Sequence, residues 1–479
     1  MEAASQQQAI VPICVDLDGT LVRTDTLVEM VVALVKINVL YVFLLPIWLY
    51  RGKARFKHEV ADRVDLDVSL LPYNRPFLKF LQGAHAEGRP LILATAANQK
   101  IADAIASHLG IFDQVIASDR HNNLSGSDKE RVLCQRFGKS GFDYAGNSRA
   151  DLDVWRSANH AIVVNPERGV EQAVQAQDRH ERTIKDEGRG YADYLRAVRP
   201  HQWLKNLLIF VPVLAGHKIG EPFSVWLSIC AFVAFSLCAS SVYLLNDLMD
   251  LPADRSHPRK RLRPFASGDI SIVHGGLLIP ILLMPAIALA FYLGPAFGTV
   301  LAGYFALTLL YSIRIKGIVL VDVLVLAGLY TIRITAGGAA GGMEISFWLF
   351  SFSMFLFLSL AMVKRYSELL DLQRLGKQSM VGRGYRVLDL ETLSNLGGGA
   401  GYMSVLVLAL YINSDIVRVL YSHPDLIWLL CPLLLFWVSW IWLSARRGEM
   451  HDDPLLFAIR DRPSWIVACA SAVIVAAAI

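Results

Sequence analysis

The 479-residue chain is 54% hydrophobic and only 18% charged, with a mean hydropathy of +0.41, too oily for an ordinary soluble protein. A net charge of +4 is small and says little by itself; no nucleic-acid partner is expected, and the placement of the basic residues is what informs. The six cysteines (Cys14, Cys134, Cys230, Cys238, Cys431, Cys469) are scattered without a C-x-x-C pair, so neither a disulfide framework nor a zinc site is expected.

In chain order, Met1 to Gln8 is polar and lacks the basic-then-apolar layout of a signal peptide, which predicts a first domain kept in the cytoplasm. Ile13-Cys14-Val15 then reads as a buried parallel strand leading into Asp16-Leu17-Asp18-Gly19-Thr20-Leu21. It delivers two carboxylates to its C-terminal end, where active sites of open α/β sheets sit. Leu27–Tyr50 is almost wholly apolar, interrupted by Glu29, Lys36 and Asn38. A second run, Leu91-Ile92-Leu93-Ala94, ends at Thr95; Lys129 opens a helical stretch, and Tyr144-Ala145-Gly146-Asn147 leads to Asp151.

These four motifs, in this order, resemble the haloacid dehalogenase superfamily of phosphatases over roughly residues 11–165. The resemblance implies an α/β Rossmann-like domain with a helical cap, expected at residues 1–166 with the cap at about 22–75. It implies Asp16 as the nucleophile that forms an aspartyl-phosphate, and Asp18 as acid and then base. Thr95 and Lys129 would hold the phosphoryl oxygens, and Asp16, Asp18 and Asp151 form the implied Mg2+ set. Where the family commonly has Gly-Asp, this chain has Gly146-Asn147, whose amide oxygen can ligate magnesium but adds no charge. The alternative is a degenerate, structural domain. The apolar cap stretch could be a core helix, an interfacial hairpin or a span. A span would put Lys129 and Asp151 across the membrane from Asp16. Val39 to Tyr50, followed by Arg51, Lys53, Arg55 and Lys57, looks interfacial, so the cap is expected to dip into the membrane and present a lipid-linked phosphate.

Residues 167–193 are polar and charge-mixed and are expected to be a linker. Residues 194–479 are expected to form an all-α polytopic membrane bundle of nine helices, with candidate spans at 203–220, 223–246, 274–293, 296–313, 318–340, 346–363, 396–413, 425–444 and 463–479. With the N-terminus inside, the inner loops carry seventeen Lys and Arg residues and the outer loops only Lys218 and Arg418. The expected location is the inner (cytoplasmic) membrane, with the N-terminal domain cytoplasmic and the C-terminus outside. Loops 247–273 and 364–395 are long enough to fold over a cavity on the inner face. Arg333 lies mid-span, which predicts either an anion contact or a structural ion pair.

At the end of the second candidate span stands Asn246-Asp247-Leu248-Met249-Asp250-Leu251-Pro252-Ala253-Asp254. Positions four apart share a helix face, so Asn246, Asp250 and Asp254 line up with Asp247 one step round. An oxygen-rich stripe suits Mg2+, and the following Arg255, Arg259, Lys260, Arg261 and Arg263 suit phosphate. Together with the nine-span layout, this motif resembles the UbiA superfamily of intramembrane transferases, which mostly move a polyprenyl group from its diphosphate. The family's second acidic motif is incomplete, since between Tyr311 and Asp322 only Asp322 is acidic. Arg199-Pro200-His201-Gln202-Trp203-Leu204-Lys205-Asn206, Asp254 to Pro264, Leu329–Gly338 and Lys364-Arg365-Tyr366 are similar to the decaprenyl-phosphate phosphoribosyltransferase branch.

That resemblance implies a lipid monophosphate attacking phosphoribosyl pyrophosphate as its magnesium diphosphate leaves. Asp247, Asp250 and Asp254 would hold the metal diphosphate, with Asn246 beside them, and Lys205, Lys260 and Arg263 would bind phosphates. Asp322 would orient ribose or a second metal, and Arg333 or Lys364 would meet a phosphate. The partners expected are polyprenyl phosphate, phosphoribosyl pyrophosphate and the membrane; the oligomeric state stays open. The phosphatase domain would then remove the 5-phosphate from the lipid-linked ribose. The alternatives are a prenyltransferase acting on a quinone-type acceptor and a membrane scaffold or transporter.

Overall fold

A computed structural model of the chain describes residues 11–176, 179–186, 190–380, 383–414, 417, 420–450 and 453–479. Arg418, one of the two basic residues assigned to outer loops, lies outside these residues. The chain forms two compact units, one of residues 1–198 with 243–279 and one of residues 199–242 with 280–479.

The first unit is built on β1 (Ile13–Val15), β2 (Leu91–Asn98), β3 (Gln114–Ser118), β4 (Asp143–Gly146), β5 (Ala161–Val164) and β6 (His180–Ile184). They form one sheet in the order β3-β2-β1-β4-β5-β6, and every neighbouring pair is parallel. A parallel sheet is covered on both faces, which is why β1 is apolar throughout. Alternate side chains serve opposite cores: Ile13 and Val15 join Leu93, Ala145 and Ile162, while Cys14 joins Ile92, Tyr144 and Val163. Strand order reverses at β1, so the crevice beyond its carboxyl end is the natural place for a ligand.

The cap follows β1. Helix α1 (Thr26–Ile37) is N-capped by Asp25, whose carboxylate accepts from the Val28 N–H. A 3-10 turn (Val39–Phe43) and helices Leu45–Tyr50 and Lys53–Ala61 complete it. Val39–Tyr50 is an apolar helical stretch too short to span a bilayer.

The expected linker at 167–193 is corrected. It carries a helix, Val170–Gln175, and then β6, which pairs in parallel with β5. β6 is a sheet edge with Glu181 and Arg182 exposed, and charged edges are how sheets avoid further pairing. Such a strand has the composition of a linker.

In the membrane half, seven helices among the described residues are long and apolar enough to cross a bilayer, or eight if the pair Pro454–Arg460 and Arg462–Ala478, bent by 83°, counts as one. Eight of the nine expected spans coincide with helices, from Pro222–Met249 to Arg462–Ala478. The exception is 203–220, built instead from a 3-10 stretch (Pro200–Phe210) and a short helix (Val211–Ala215). Pro212 has no N–H to extend the preceding helical ladder. The expected 364–395 loop is also shorter, because helix Phe347–Arg374 continues past Lys364 and Arg365. Helix Val321–Gly341 packs closely on the 3-10 stretch: a Cβ on Gly337 would lie 2.0 Å from the Ile209 carbonyl oxygen. Small residues let membrane helices approach this way.

Candidate active sites

The crevice at the carboxyl end of β1 gathers most of the predicted phosphatase residues. Asp16 continues the β1–β4 ladder, its N–H donating to the Ala145 carbonyl, 2.9 Å. The Lys129 Nζ reaches its Oδ1 at 2.7 Å and lies 3.7 Å from Asp151 Oδ1. Tyr144 closes the set, accepting from Lys129 at 2.7 Å and donating to Asp151 at 2.7 Å. The Ser148 hydroxyl and the N–H groups of Asn147 and Ser148 donate to the other Asp151 oxygen. Tyr144 was not anticipated, because an aromatic in a strand reads as core.

Asp18 accepts from the Thr26 N–H at 2.8 Å. Gly19, at φ +75°, lies under Asn147: a Cβ there would come within 2.3 Å of the amide nitrogen, and L side chains rarely adopt that φ. The Asn147 oxygen accepts from the Thr20 hydroxyl at 3.3 Å. Thr95 is buried, its hydroxyl accepting from the Ala97 N–H at 3.0 Å. Lys57, assigned from its basic neighbours to a membrane-facing run, turns inward instead. Its ammonium donates to the Ala96 carbonyl and Asn123, one residue beyond Thr95.

Burial pushes the Asp16 carboxyl up to about 6 against the pull of Lys129, with the Asp151 charge raising it further. Burial and the nearby Asp25 charge push Asp18 up to about 7. Burial disfavours the Lys129 ammonium, but the Asp16 and Asp151 charges outweigh it and raise its pKa. Burial raises both carboxyls by disfavouring their charged forms. Asp16, Asp151 and the Asn147 amide supply the all-oxygen donor type that a hard cation such as Mg2+ takes.

The acidic segment keeps its four-residue spacing while bending. Helix Pro222–Met249 ends, Asp250 takes φ −100° and ψ 12°, and a short helix runs Leu251–Ser256. Hydrogen bonds from the Asp250 N–H to Asn246 and from the Asp254 N–H to Asp250, both 2.9 Å, bridge the break. Asp247 and Asp254 meet at one guanidinium, Arg263 Nη1, at 3.1 and 2.6 Å. Asp250 lies on another side, its Oδ1 3.9 Å from Lys36 Nζ. Carboxylates beside an arginine are the donor types that a metal diphosphate takes, and here Asp247 and Asp254 converge on Arg263 while Asp250 stands apart. Lys260, Arg259 and Arg261 are exposed. Arg255 is not a free phosphate ligand: it forms a buried pair with Glu29, Nη2 to Oε1 2.5 Å.

In the second unit, Lys205 and Lys364 converge on Asp453, at 2.7 and 3.3 Å, and the Tyr330 hydroxyl donates to the same carboxylate. Burial raises the Asp453 pKa, but the two lysines hold it well below the usual carboxylate range. Asp453 was missed because a carboxylate between two basic stretches reads as a topology residue. Arg333 is buried and held by neutral groups. It donates to Asn206 at 2.8 Å, to the Tyr304 hydroxyl at 3.2 Å and to the Leu329 carbonyl, and its guanidinium lies over the Tyr304 and Tyr330 rings. No carboxylate among the described residues pairs with it, so the structural ion pair is not seen.

Asp322 corrects an expectation. It is 0% exposed, accepting from Arg365 Nε at 2.6 Å and from the Tyr385 hydroxyl, so its carboxylate holds Arg365 rather than a ribose or second metal. The partner residue follows Lys364, singled out as a phosphate ligand, but the pairing spans 43 residues and leaves no local signal.

Comparison with known proteins bears on both units. Residues 207–460 match the UbiA prenyltransferase family and residues 13–154 the haloacid dehalogenase-like hydrolases. An uncharacterized protein of Sinorhizobium fredii, y4nM, is 37% identical over 468 residues, covering 95% of this chain and 89% of that one. The nodulation protein NoeC of Azorhizobium caulinodans is 36% identical over 281 residues, covering 58% of this chain and 90% of its own. The decaprenyl-phosphate phosphoribosyltransferase of Mycobacterium tuberculosis is 37% identical over 189 residues, covering 39% of this chain and 63% of its own. The chain thus belongs to the UbiA prenyltransferase family and carries a haloacid dehalogenase-like domain at its N-terminal end.

Proposed function

We propose that the protein transfers 5-phosphoribose from phosphoribosyl pyrophosphate to a polyprenyl phosphate and then removes the 5-phosphate. The observation that carries the first step is the acidic segment, where Asp247 and Asp254 share Arg263 and Asp250 stands apart at the helix break. Asp247, Asp250 and Asp254 would hold the diphosphate through its metal, and Arg263 would supply positive charge for its oxygens. Bound Mg2+ would neutralise charge on the leaving group. A lipid phosphate oxygen attacks the anomeric carbon, the bond to diphosphate breaks, and its electron pair leaves on the diphosphate. Lys205, Lys364 and Arg333 supply cations for a phosphate, with Asp453 holding the two lysines in place. Similarity to a relative named for this reaction supports the donor.

The alternative, transfer of a prenyl group from its diphosphate, is disfavoured because Asp322 is committed to Arg365 and offers no second acidic motif.

For the second step, Asp16 would attack phosphorus as the bond to the ribose 5-oxygen breaks, and Asp18 would protonate the leaving alkoxide. Asp18 would then take a proton from the water that hydrolyses the aspartyl-phosphate and releases inorganic phosphate. Lys129, 2.7 Å from Asp16, would hold the phosphoryl oxygens. Mg2+ held by Asp16, Asp151 and Asn147 would add charge neutralisation. The cap's exposed Leu40, Phe43, Leu49 and Tyr50, followed by exposed Arg51 and Lys53, suit the bilayer surface on the cytoplasmic side. Purified protein in vesicles containing polyprenyl phosphate, given ribose-labelled phosphoribosyl pyrophosphate, should put the label into lipid; Asp250→Ala should abolish this while the protein stays folded. Unchanged transfer in Asp250→Ala would remove the acidic segment from the mechanism.

A further inference from the structure

Within the first unit, α1 joins the two chemistries. Its first residue meets the phosphatase crevice, where the Thr26 N–H donates to Asp18. Its last turn meets the acidic segment: the Lys36 ammonium donates to the Met249 carbonyl at 2.8 Å and lies 3.9 Å from Asp250. That carbonyl ends the long helix Pro222–Met249, so the ammonium caps a helix C-terminus at the break that sets Asp250 apart. Between these ends, Glu29 takes two arms of Arg255, at 2.5 and 3.1 Å, and Arg255 also donates to the Ala266 carbonyl at 3.0 Å. Both side chains are buried, and Arg255 directly follows Asp254.

Glu29 and Lys36 are the two charges that interrupt this otherwise apolar helix. Seven residues apart, they project from one face, about 10 Å along the axis. They address the two ends of the segment that runs from Asp250 to Arg255. A buried glutamate is a costly feature for a helix that only needed to cover a sheet. Arg23, just before α1, extends the grip, donating to the Ser267 carbonyl and pairing with Asp269 at 3.1 Å.

We infer that Glu29 and Lys36 are positioning residues for the transferase. The phosphatase cap holds Asp250 and Asp254 in their metal-binding arrangement, so transfer depends on the cap as a part. The inference rests on the acidic segment being the site of transfer. Its test uses the full chain in polyprenyl-phosphate vesicles, comparing wild type with Glu29→Gln, Lys36→Met, Lys36→Arg and the exchange Glu29→Arg with Arg255→Glu.

Two quantities are read: hydrogen exchange of peptides covering residues 246–262 without metal, and the Mg2+ concentration for half-maximal transfer. Glu29→Gln and Lys36→Met should speed exchange in that segment and raise half-saturating Mg2+ by about 10- to 100-fold, as losses of supporting contacts behind metal ligands do. Lys36→Arg and the charge exchange should recover most of the shift. Damage to folding alone would lower the maximal rate and leave the Mg2+ midpoint in place. Unchanged exchange at 246–262 in both single variants, or an unmoved Mg2+ midpoint, overturns the inference. If wild type transfers no phosphoribose yet exchange still speeds in the variants, the assigned reaction fails while the positioning stands.

Discussion

The Asp322–Arg365 pair offers a sharp test of how the charges in the second unit are divided. Asp322 is 0% exposed and the Arg365 side chain 1%, with Nε to Oδ2 at 2.6 Å. Arg365 also contacts Glu368 and the Tyr311 hydroxyl, and Asp322 accepts from Tyr385. Asp322→Asn removes the carboxylate and leaves a buried guanidinium with one partly exposed counter-ion. Breaking a buried pair in this way costs about 3–5 kcal/mol. At roughly 2–4 °C per kcal/mol for a large domain, the thermal transition should fall by about 6 to 20 °C. Pairing Asp322→Asn with Arg365→Met should return part of that loss, since contacting sites couple by about 0.5–3 kcal/mol. Thermal unfolding in detergent followed by tryptophan fluorescence gives the midpoints, and transfer assays on folded protein give the Mg2+ midpoint. Both parts of the expectation matter: stability falls, and the Mg2+ midpoint stays. An Asp322→Asn protein of wild-type stability with a shifted Mg2+ requirement would show that Asp322 is a metal ligand after all.

Three further outcomes follow from the first unit. Asp16→Asn should stop phosphate release and leave a lipid product still carrying its 5-phosphate, seen as one extra phosphate by mass spectrometry; continued release would exclude Asp16 as nucleophile. The metal-free protein should lose stability as pH rises from about 4 to about 7, because Asp16 and Asp18 are raised to about 6 and about 7 and the native state binds more protons there than the unfolded chain. Asp18→Asn should flatten that slope in thermal melts run in EDTA, and a slope of the opposite sign would refute the burial account. A bimane label on a cysteine replacing Phe43 should be quenched by brominated lipids in reconstituted vesicles; a label as unquenched as one at exposed Glu87 would remove the cap from the bilayer.

How far the sequence anticipates this structure depends on the range of the interaction. The Asp16–Asp18 strand end was legible because period two is a local rule that survives folding. Long apolar helices were legible for the same reason. In the Asn246–Asp254 segment the i to i−4 backbone bonds persist across the Asp250 break. The expected shared face of Asp250 and Asp254 does not, since Asp254 joins Asp247 at Arg263 while Asp250 lies near Lys36. The pairs that decide which charges remain free were not: Glu29 with Arg255, Asp322 with Arg365 and Asp453 with Lys205 join residues more than forty apart. Lys57 was misplaced because its neighbours Arg51 and Lys53 do face solvent while it turns toward Ala96. β6 hid in a polar stretch because an edge strand must be charged, and the 203–220 stretch had the apolarity of a span but contained Pro212.

The central claim, two consecutive reactions on one lipid, is tested most directly by following doubly labelled phosphoribosyl pyrophosphate, with distinct labels on the ribose and the 5-phosphate. In wild-type vesicles containing polyprenyl phosphate and Mg2+, the ribose label should enter the lipid while the 5-phosphate label appears there transiently and is then released as inorganic phosphate. Ribose label that never reaches the lipid, with transfer seen instead from a prenyl diphosphate, would contradict the account.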